Sequence, residues 1–193
     1  MKIKTAQDRG VIEHGFAKAP DGWHVFEFLE GIDNLKNKEG VVITGKKGER
    51  TWKFPAKIND GDDEGNGIEM DQILYEGDRA EQTVANWLGA VGLFDKFNAK
   101  FKGDESFFDD AVMNVIKTQL PGQFIRFKTE QYTYKDKNKD EQVGVRVIGF
   151  GSMKAKVEEL EAELFKAKES KAKDDKKGAK ETKPAAVEND PFA

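Results

Sequence analysis

The sequence predicts a mainly β fold with a helical insert, followed by a C-terminal helix and a disordered tail. Short β-rich runs separated by glycine turns occupy the first part of the chain. Two runs with helical spacing occupy the middle, and two alternating runs follow Pro121-Gly122. This order is that of a five-stranded OB-type barrel with its helices between strands 3 and 4. The predicted strands cover residues 23–29, 40–44, 50–58, 124–134 and 142–150.

Turn residues set the limits of the early strands. The first strand follows the turn sequence Pro20-Asp21-Gly22. The run 45–48, Gly-Lys-Lys-Gly, suits a hairpin turn between the second and third strands because glycine adopts positive φ at little cost. Pro55 has no backbone N–H for a strand ladder, so it predicts an edge or a bulge in the third strand.

The helical insert begins at a predicted capping box. Asp78 and Glu81 have the required spacing, and Ser106 is placed to cap a second helix that ends at Pro121-Gly122. Apolar residues recur with helical spacing in both runs. They are Ala80, Val84, Trp87, Leu88 and Val91 in the first, and Phe108, Ala111, Val112, Val115 and Ile116 in the second.

The C-terminal part predicts a short amphipathic helix over 153–167, followed by a disordered tail over 168–193. The tail is mostly Lys, Ala, Asp and Glu, which bury too little apolar surface to offset the entropy of ordering. The folded domain is therefore predicted over 1–152. The chain has no cysteine and no apolar stretch of bilayer length, which predicts a cytoplasmic protein without a membrane partner.

The outward face of the strand over 124–134 is the best candidate binding surface. Alternation places Ile125, Phe127 and Thr129 toward the core. The opposite side interleaves aromatic rings, which can stack on bases, with cations, which can neutralise phosphates. Because the net charge is −4, any nucleic-acid site must be such a local patch. The candidates are Phe124, Arg126, Lys128, Tyr132 and Tyr134, with Arg146 on the same side of the last strand.

The third strand leaves two alternatives open. Trp52 and Phe54 share one side, and Lys53 and Lys57 share the other. In one alternative, the two aromatic residues are core, and the lysines contact phosphates. In the other, the aromatic residues are themselves stacking platforms. All four therefore enter the set of candidate nucleic-acid-binding residues.

The strand order, together with the terminal Asp190, Pro191 and Phe192, resembles single-stranded-DNA-binding proteins, and more closely the small phage-encoded kind. The resemblance implies sequence-independent binding and protection of single-stranded DNA in replication, recombination or repair. It also implies that Asp190, Pro191 and Phe192 dock replication or recombination proteins. For a phage protein the location would be the host cytoplasm. A homodimer is a further hypothesis.

No enzymatic motif stands out, so neither a catalytic residue nor a cofactor is predicted. The sequence has no Walker-type phosphate loop and no His-Glu-x-x-His. The loop from Asp60 to Gly67 imitates half of a calcium-binding loop, but Asp71 stands where a bidentate Glu is needed, so no metal is predicted. Two alternatives remain: an OB-like adaptor that binds protein, and a metal-dependent nuclease that uses the Asp60 loop.

Overall fold

The computed structural model describes residues 18–61, 65–101, 105–135 and 139–178. The chain divides into two compact units, Met1–Ala155 and Lys156–Ala193. The mainly β character, the helical insert and the C-terminal helix are confirmed. The elements are β1 Gly22–Phe28, β2 Asp33–Asn34, β3 Thr51–Ile58, β4 Glu69–Tyr75, α1 Asp78–Ala90, α2 Phe94–Phe101, α3 Asp110–Gln119, β5 Phe124–Lys135, β6 Glu141–Gly151 and α4 Val157–Gly178.

Within the described residues, six strands form one antiparallel sheet. β3 pairs with β4 along one edge and with both β1 and β2 along the other, and β5 lies between β1 and β6. No ladder joins β4 to β6 in this part of the chain, so the sheet is open. The predicted barrel is therefore wrong in its closure and in its count of five strands.

Pro55 explains how β1 and β2 share one edge of β3. Its carbonyl accepts a hydrogen bond from the Leu29 N–H at 2.8 Å, so its nitrogen also points toward the β1–β2 edge. The ladder breaks just beyond this point and resumes at Asp33, which pairs with Lys53. The Pro55 nitrogen, which has no hydrogen to donate, thus faces the gap between β1 and β2. The predicted edge position is wrong, because β3 is an interior strand.

The core lies between the inward face of the sheet and the helical insert. Trp87 of α1 packs with its ring centroid 5.6 Å from Phe28, 5.5 Å from Phe54 and 5.7 Å from Phe127. These three phenylalanines come from β1, β3 and β5, and each is fully buried. One indole therefore joins three strands to the helical insert.

Two strands differ from the predicted ones: the strand predicted over 40–44 is absent from the named strands, and β4 is present without having been predicted. Residues 40–44 form only isolated bridges, Lys36 to Val42 and Thr44 to Arg50, and the Val41 side chain is 61% exposed. β4 was not predicted, because acidic residues and Gln72 dilute its apolar alternation. β4 nevertheless pairs with β3 from Thr51 to Lys57.

The predicted caps of the helical insert are wrong. Gly77 is the N-cap of α1, and no side chain bonds there. Glu81 instead accepts hydrogen bonds from the Phe107 N–H at 3.0 Å and from the Ser106 hydroxyl, which ties α1 to the segment before α3. α3 begins one turn later than predicted, after Asp109. The helix α2 was missed by the sequence reasoning.

The second unit contains α4, whose helical backbone continues to Gly178, past the predicted end at 167. The partner-docking residues Asp190, Pro191 and Phe192 lie outside the described residues, and the division into 1–152, 153–167 and 168–193 stays a prediction. Among the described helices, none is long and apolar enough to cross a bilayer.

Replacing Trp87 tests the central role of this indole. We expect Trp87→Ala to lower the free energy of unfolding by about 3–5 kcal/mol, because it leaves a cavity against three buried rings. Chemical denaturation measures the loss. Val41→Ala is the control, since exposed substitutions change stability by about 0.5 kcal/mol or less. Equal effects of the two variants would contradict this description of the core.

Candidate nucleic-acid interface

The strand β5 separates a buried face from an outward face. Ile125, Phe127 and Thr129 are buried, as the sequence predicts, and the residues between them are partly exposed. The same alternation continues toward the hairpin tip, where both sides of β5 are exposed. The outward face carries the candidates Phe124, Arg126, Lys128, Tyr132 and Tyr134, together with Glu130.

A β-bulge sets which residues of β6 join this face. Lys128 pairs with Gly149, but Thr129 pairs with Val147, so Ile148 is the extra residue. Without it, Glu130 would pair with Val147, and the valine would point outward. With it, Glu130 pairs with Arg146, while Val145 and Val147 pack against the core. The predicted outward position of Arg146 is confirmed.

Tyr132, Tyr134 and Arg146 form one cluster near the hairpin tip. The two tyrosine rings lie 5.8 Å apart at an interplanar angle of 36°, and their residues are 42% and 46% exposed. The Arg146 guanidinium carbon lies 5.6 Å from the Tyr132 ring centroid. Glu130 Oε2 accepts hydrogen bonds from Arg146 Nε at 2.8 Å and from Nη2 at 2.6 Å. This carboxylate therefore holds the guanidinium over the ring.

Gly144 makes room for the Tyr132 ring. The two residues are cross-strand partners, and a Cβ at position 144 would stand 2.6 Å from Tyr132 Cζ. The ring therefore lies directly over the bare backbone of β6, a contact by which an aromatic residue covers a strand glycine. One face of Tyr132 packs on this backbone.

Arg126 and Lys128 continue the cationic side of β5 toward the middle of the sheet. Their cross-strand partners on β6 are Gly151 and Gly149. Arg126 is partly buried, and its Nε has no hydrogen-bond partner among the described residues. A buried guanidinium donor without an acceptor is uncommon in folded proteins.

Trp52 and Phe54 are core residues, 2% and 0% exposed, so their assignment as stacking platforms is wrong. The physical reason is the alternation of β3, which directs both rings toward the helical insert. The Arg50 guanidinium carbon and Lys117 Nζ lie 5.4 and 5.3 Å from the Trp52 ring centroid, and the Trp52 Nε1–H donates to Glu76 Oε1 at 2.7 Å. The buried indole therefore contacts two cations and is hydrogen-bonded at its nitrogen.

Two side chains near Trp52, Asp33 and Arg50, have shifted pKa values. The hydrogen bond from Lys36 lowers the pKa of Asp33, opposed by burial and supported by Lys117. Burial alone would lower the pKa of Arg50, but its hydrogen bond to Asp110 and the charge of Glu76 raise it. These charges hold the end of β3 to α3.

Lys53 and Lys57 are partly exposed, as predicted, but they face carboxylates. Lys57 Nζ lies 3.0 Å from Glu27 Oε2, and Lys53 Nζ lies 3.9 Å from Asp71 Oδ2. Lys57 also pairs across the strands with Glu69. In the sheet order, β1 lies between β5 and β3, the strand that carries both lysines. They are not brought together with the Tyr132 cluster.

Asp60, on which the nuclease alternative depends, has a structural role. Its Oδ1 accepts a hydrogen bond from the Val25 N–H at 2.6 Å, and its Oδ2 lies 2.9 Å from His24 Nδ1. The carboxylate therefore fixes the loop to β1. The other acidic residues at 62–64 lie outside the described residues. Within the described ranges, no group of three or more potential ligand side chains is placed to hold a metal.

Sequence reasoning missed two residues of this site. Glu130 was not a candidate, although its contact with Arg146 determines where the guanidinium lies. Gly144 was also missed, and a signal was present: it interrupts the run Val143-Gly144-Val145 on its outward side. A glycine inside a strand is typical of a bulge or a close approach.

Comparisons with known proteins add little. No family model matches the chain, and no curated protein matches it. A solved structure of yeast RPA bound to ssDNA is similar over 89% of this chain and 97% of that chain, at 13% identity and a TM-score of 0.30. A TM-score this low carries no argument about fold or function.

Gly144→Ala tests the contact between the ring and the backbone. We expect the new Cβ to displace the Tyr132 ring, so that nuclear Overhauser contacts from this ring to residue 144 and to Tyr134 weaken or vanish. Stability should change by less than about 1 kcal/mol, because alanine is favoured over glycine in a strand by about 0.5–1 kcal/mol. Gly89→Ala is the matched control, since nothing lies within 4 Å of its added Cβ. Unchanged ring contacts in Gly144→Ala would refute the geometry.

Proposed function

We propose that this chain binds single-stranded DNA without reading its sequence, along the outward face of β5 and β6. The observation that carries this proposal is the exposed Tyr132–Tyr134 pair with Arg146 beside it, in line with Arg126 and Lys128. Rings and cations in alternation are what a surface needs to stack bases and neutralise phosphates.

The tyrosine pair favours single strands over duplex DNA. Stacking requires a base with a free π-face, and bases inside a duplex already stack on their neighbours. Every base has such a face, so a surface that works by stacking tolerates any sequence. The outward positions of β5 and β6 offer three cations and one carboxylate. Contacts of these cations with phosphates would also be independent of sequence, because every nucleotide carries the same phosphate.

Arg126 supports the same proposal. The Arg126 side chain is partly exposed on the outward face of β5, where its guanidinium can donate to a phosphate oxygen. The β6 partners of Lys128 and Arg126 are Gly149 and Gly151, which contribute no side chain of their own to this face. We assign these two cations to phosphate contacts, and Arg146 to a contact near the stacked bases.

The sheet order supports an OB-type relationship as part of this proposal. β4 and β6 are the outer strands, β3, β1 and β5 lie between them, and the helices come between β4 and β5. A partly open barrel with loops that hold oligonucleotides is the OB arrangement.

The remaining parts of the proposal rest on the sequence. We assign the chain to DNA replication, recombination or repair, as a binder and not as an enzyme, in the cytoplasm of its cell or host. Asp190, Pro191 and Phe192 would recruit partner proteins, because a long tail keeps them at high local concentration near bound DNA.

A titration of end-labelled oligothymidine at several salt concentrations tests the function. We expect saturable binding that weakens as salt rises, with a log–log slope of about −0.7 for each phosphate neutralised on a single strand. Arg126→Ala should make the slope shallower by about 0.7. Lys57→Ala is the matched control, since this lysine faces Glu27, and should leave the slope unchanged. Absence of binding, or affinity indifferent to salt, would favour the protein-binding adaptor.

The double variant Tyr132→Ala/Tyr134→Ala tests the stacking surface. Loss of stacking costs about 1–3 kcal/mol per base, so we expect affinity for oligothymidine to fall at least about fivefold. Tyr132→Phe/Tyr134→Phe keeps both rings and should bind normally.

Tyr75→Ala is the positional control for this experiment. Tyr75 is 55% exposed, but it lies on β4, away from the β5 cations. If Tyr75→Ala weakens binding and the double variant does not, the DNA binds across β3 and β4 instead.

A further inference from the structure

Trp23 lies on the same outward surface as the candidate interface. It pairs with Lys128, while its neighbours Gly22 and His24 pair with Thr129 and Phe127. Thr129 and Phe127 are buried, so Gly22 and His24 share the inward side, and Trp23 shares the outward side with Lys128. Lys128 in turn has Gly149 on its other side. One row across three strands therefore consists of an indole, an ammonium and bare backbone.

The environment of Trp23 differs from that of the other two tryptophans. Trp52 and Trp87 are 2% and 3% exposed and pack against core rings, whereas Trp23 is partly exposed. His24 fixes β1 at this point, because its Nδ1 lies 2.9 Å from Asp60 Oδ2 and its Nε2 lies 3.1 Å from the Pro20 carbonyl oxygen. The Trp23 side chain is thus partly exposed on a strand that the contacts of His24 anchor.

We propose that Trp23 is a third base-stacking residue, which extends the interface from β5 and β6 onto β1. This inference rests on the proposed function. Lys128 and Tyr132 are four residues apart on β5, about 13 Å at 3.3 Å per residue. Single-stranded DNA that follows β5 from the tyrosine pair therefore passes Lys128 and reaches Trp23. The bound DNA would therefore follow β5, and its contacts would extend beyond the hairpin tip.

Intrinsic fluorescence tests the inference, because the buried indoles of Trp52 and Trp87 are shielded from bases. The full chain is titrated with unlabelled oligothymidine, and a gel shift with end-labelled oligothymidine measures binding independently. We expect the wild type to be quenched to saturation at the stoichiometry that the gel shift gives. Trp23→Phe should lose most of the quenching, yet bind within about threefold of the wild type, because a ring remains.

Trp23→Ala should bind at least about fivefold more weakly, as expected for the loss of one stacked base. Val25→Ala is the matched control. It removes the next outward side chain of β1, which pairs with Arg126 and offers no ring, so affinity should not change. Circular dichroism and thermal melting establish that each variant is folded. If Trp23→Ala does not fold, the quenching of Trp23→Phe decides alone.

Three outcomes distinguish the inference from the proposed function. Gel-shift binding with quenching that persists in Trp23→Phe overturns the role of Trp23 and leaves DNA binding intact. Normal affinity of folded Trp23→Ala does the same. Loss of both quenching and gel shift in the wild type overturns the proposed function, and the role of Trp23 falls with it.

Discussion

The alternation of β5 is the constraint on which both the core and the candidate interface depend. Phe127 packs against Phe26, Phe28 and Trp87, with ring centroids at 5.3, 5.9 and 5.7 Å. Since these contacts fix which side of β5 faces inward, they also fix Arg126 and Lys128 outward. A shift of one residue in the pairing would bury the cations and expose the phenylalanines. The energy that folds the sheet thus also orients the candidate binding side chains.

The bulge at Ile148 extends this constraint to β6. It keeps Val145 and Val147 on the core side while placing Gly149 and Gly144 beside Lys128 and Tyr132. Bulges often re-aim side chains next to functional sites. Here a single extra residue brings Arg146 opposite Glu130, which then holds the guanidinium near the ring.

The sequence predicts those parts of the fold that strong periodicity determines. β1, β3, β5, β6 and α1 are found close to the predicted limits, because each has an apolar face with period two or 3.6. β4 was missed because acidic residues and Gln72 dilute its apolar alternation. α2 was missed although Phe94, Phe97 and Phe101 recur with helical spacing. Asp78 and Glu81 have the spacing of a capping box, but Ser106 and Phe107 donate to Glu81 instead. For the site, alternation correctly placed Arg126 and Arg146. It left open whether Trp52 is core or surface, because only the helical insert packed on that side of β3 decides this.

The charge distribution is compatible with the proposed function although the net charge of the chain is −4. On β3 and β4 the outward lysines face Glu27 and Asp71, so their field is largely cancelled at the surface. On β5 and β6 three cations stand with one carboxylate. Screening limits each field to about 8 Å at physiological ionic strength, so a phosphate responds to the local patch and not to the net charge. Under the proposed function, a DNA strand would therefore meet more net positive charge along β5 and β6 than around β3 and β4.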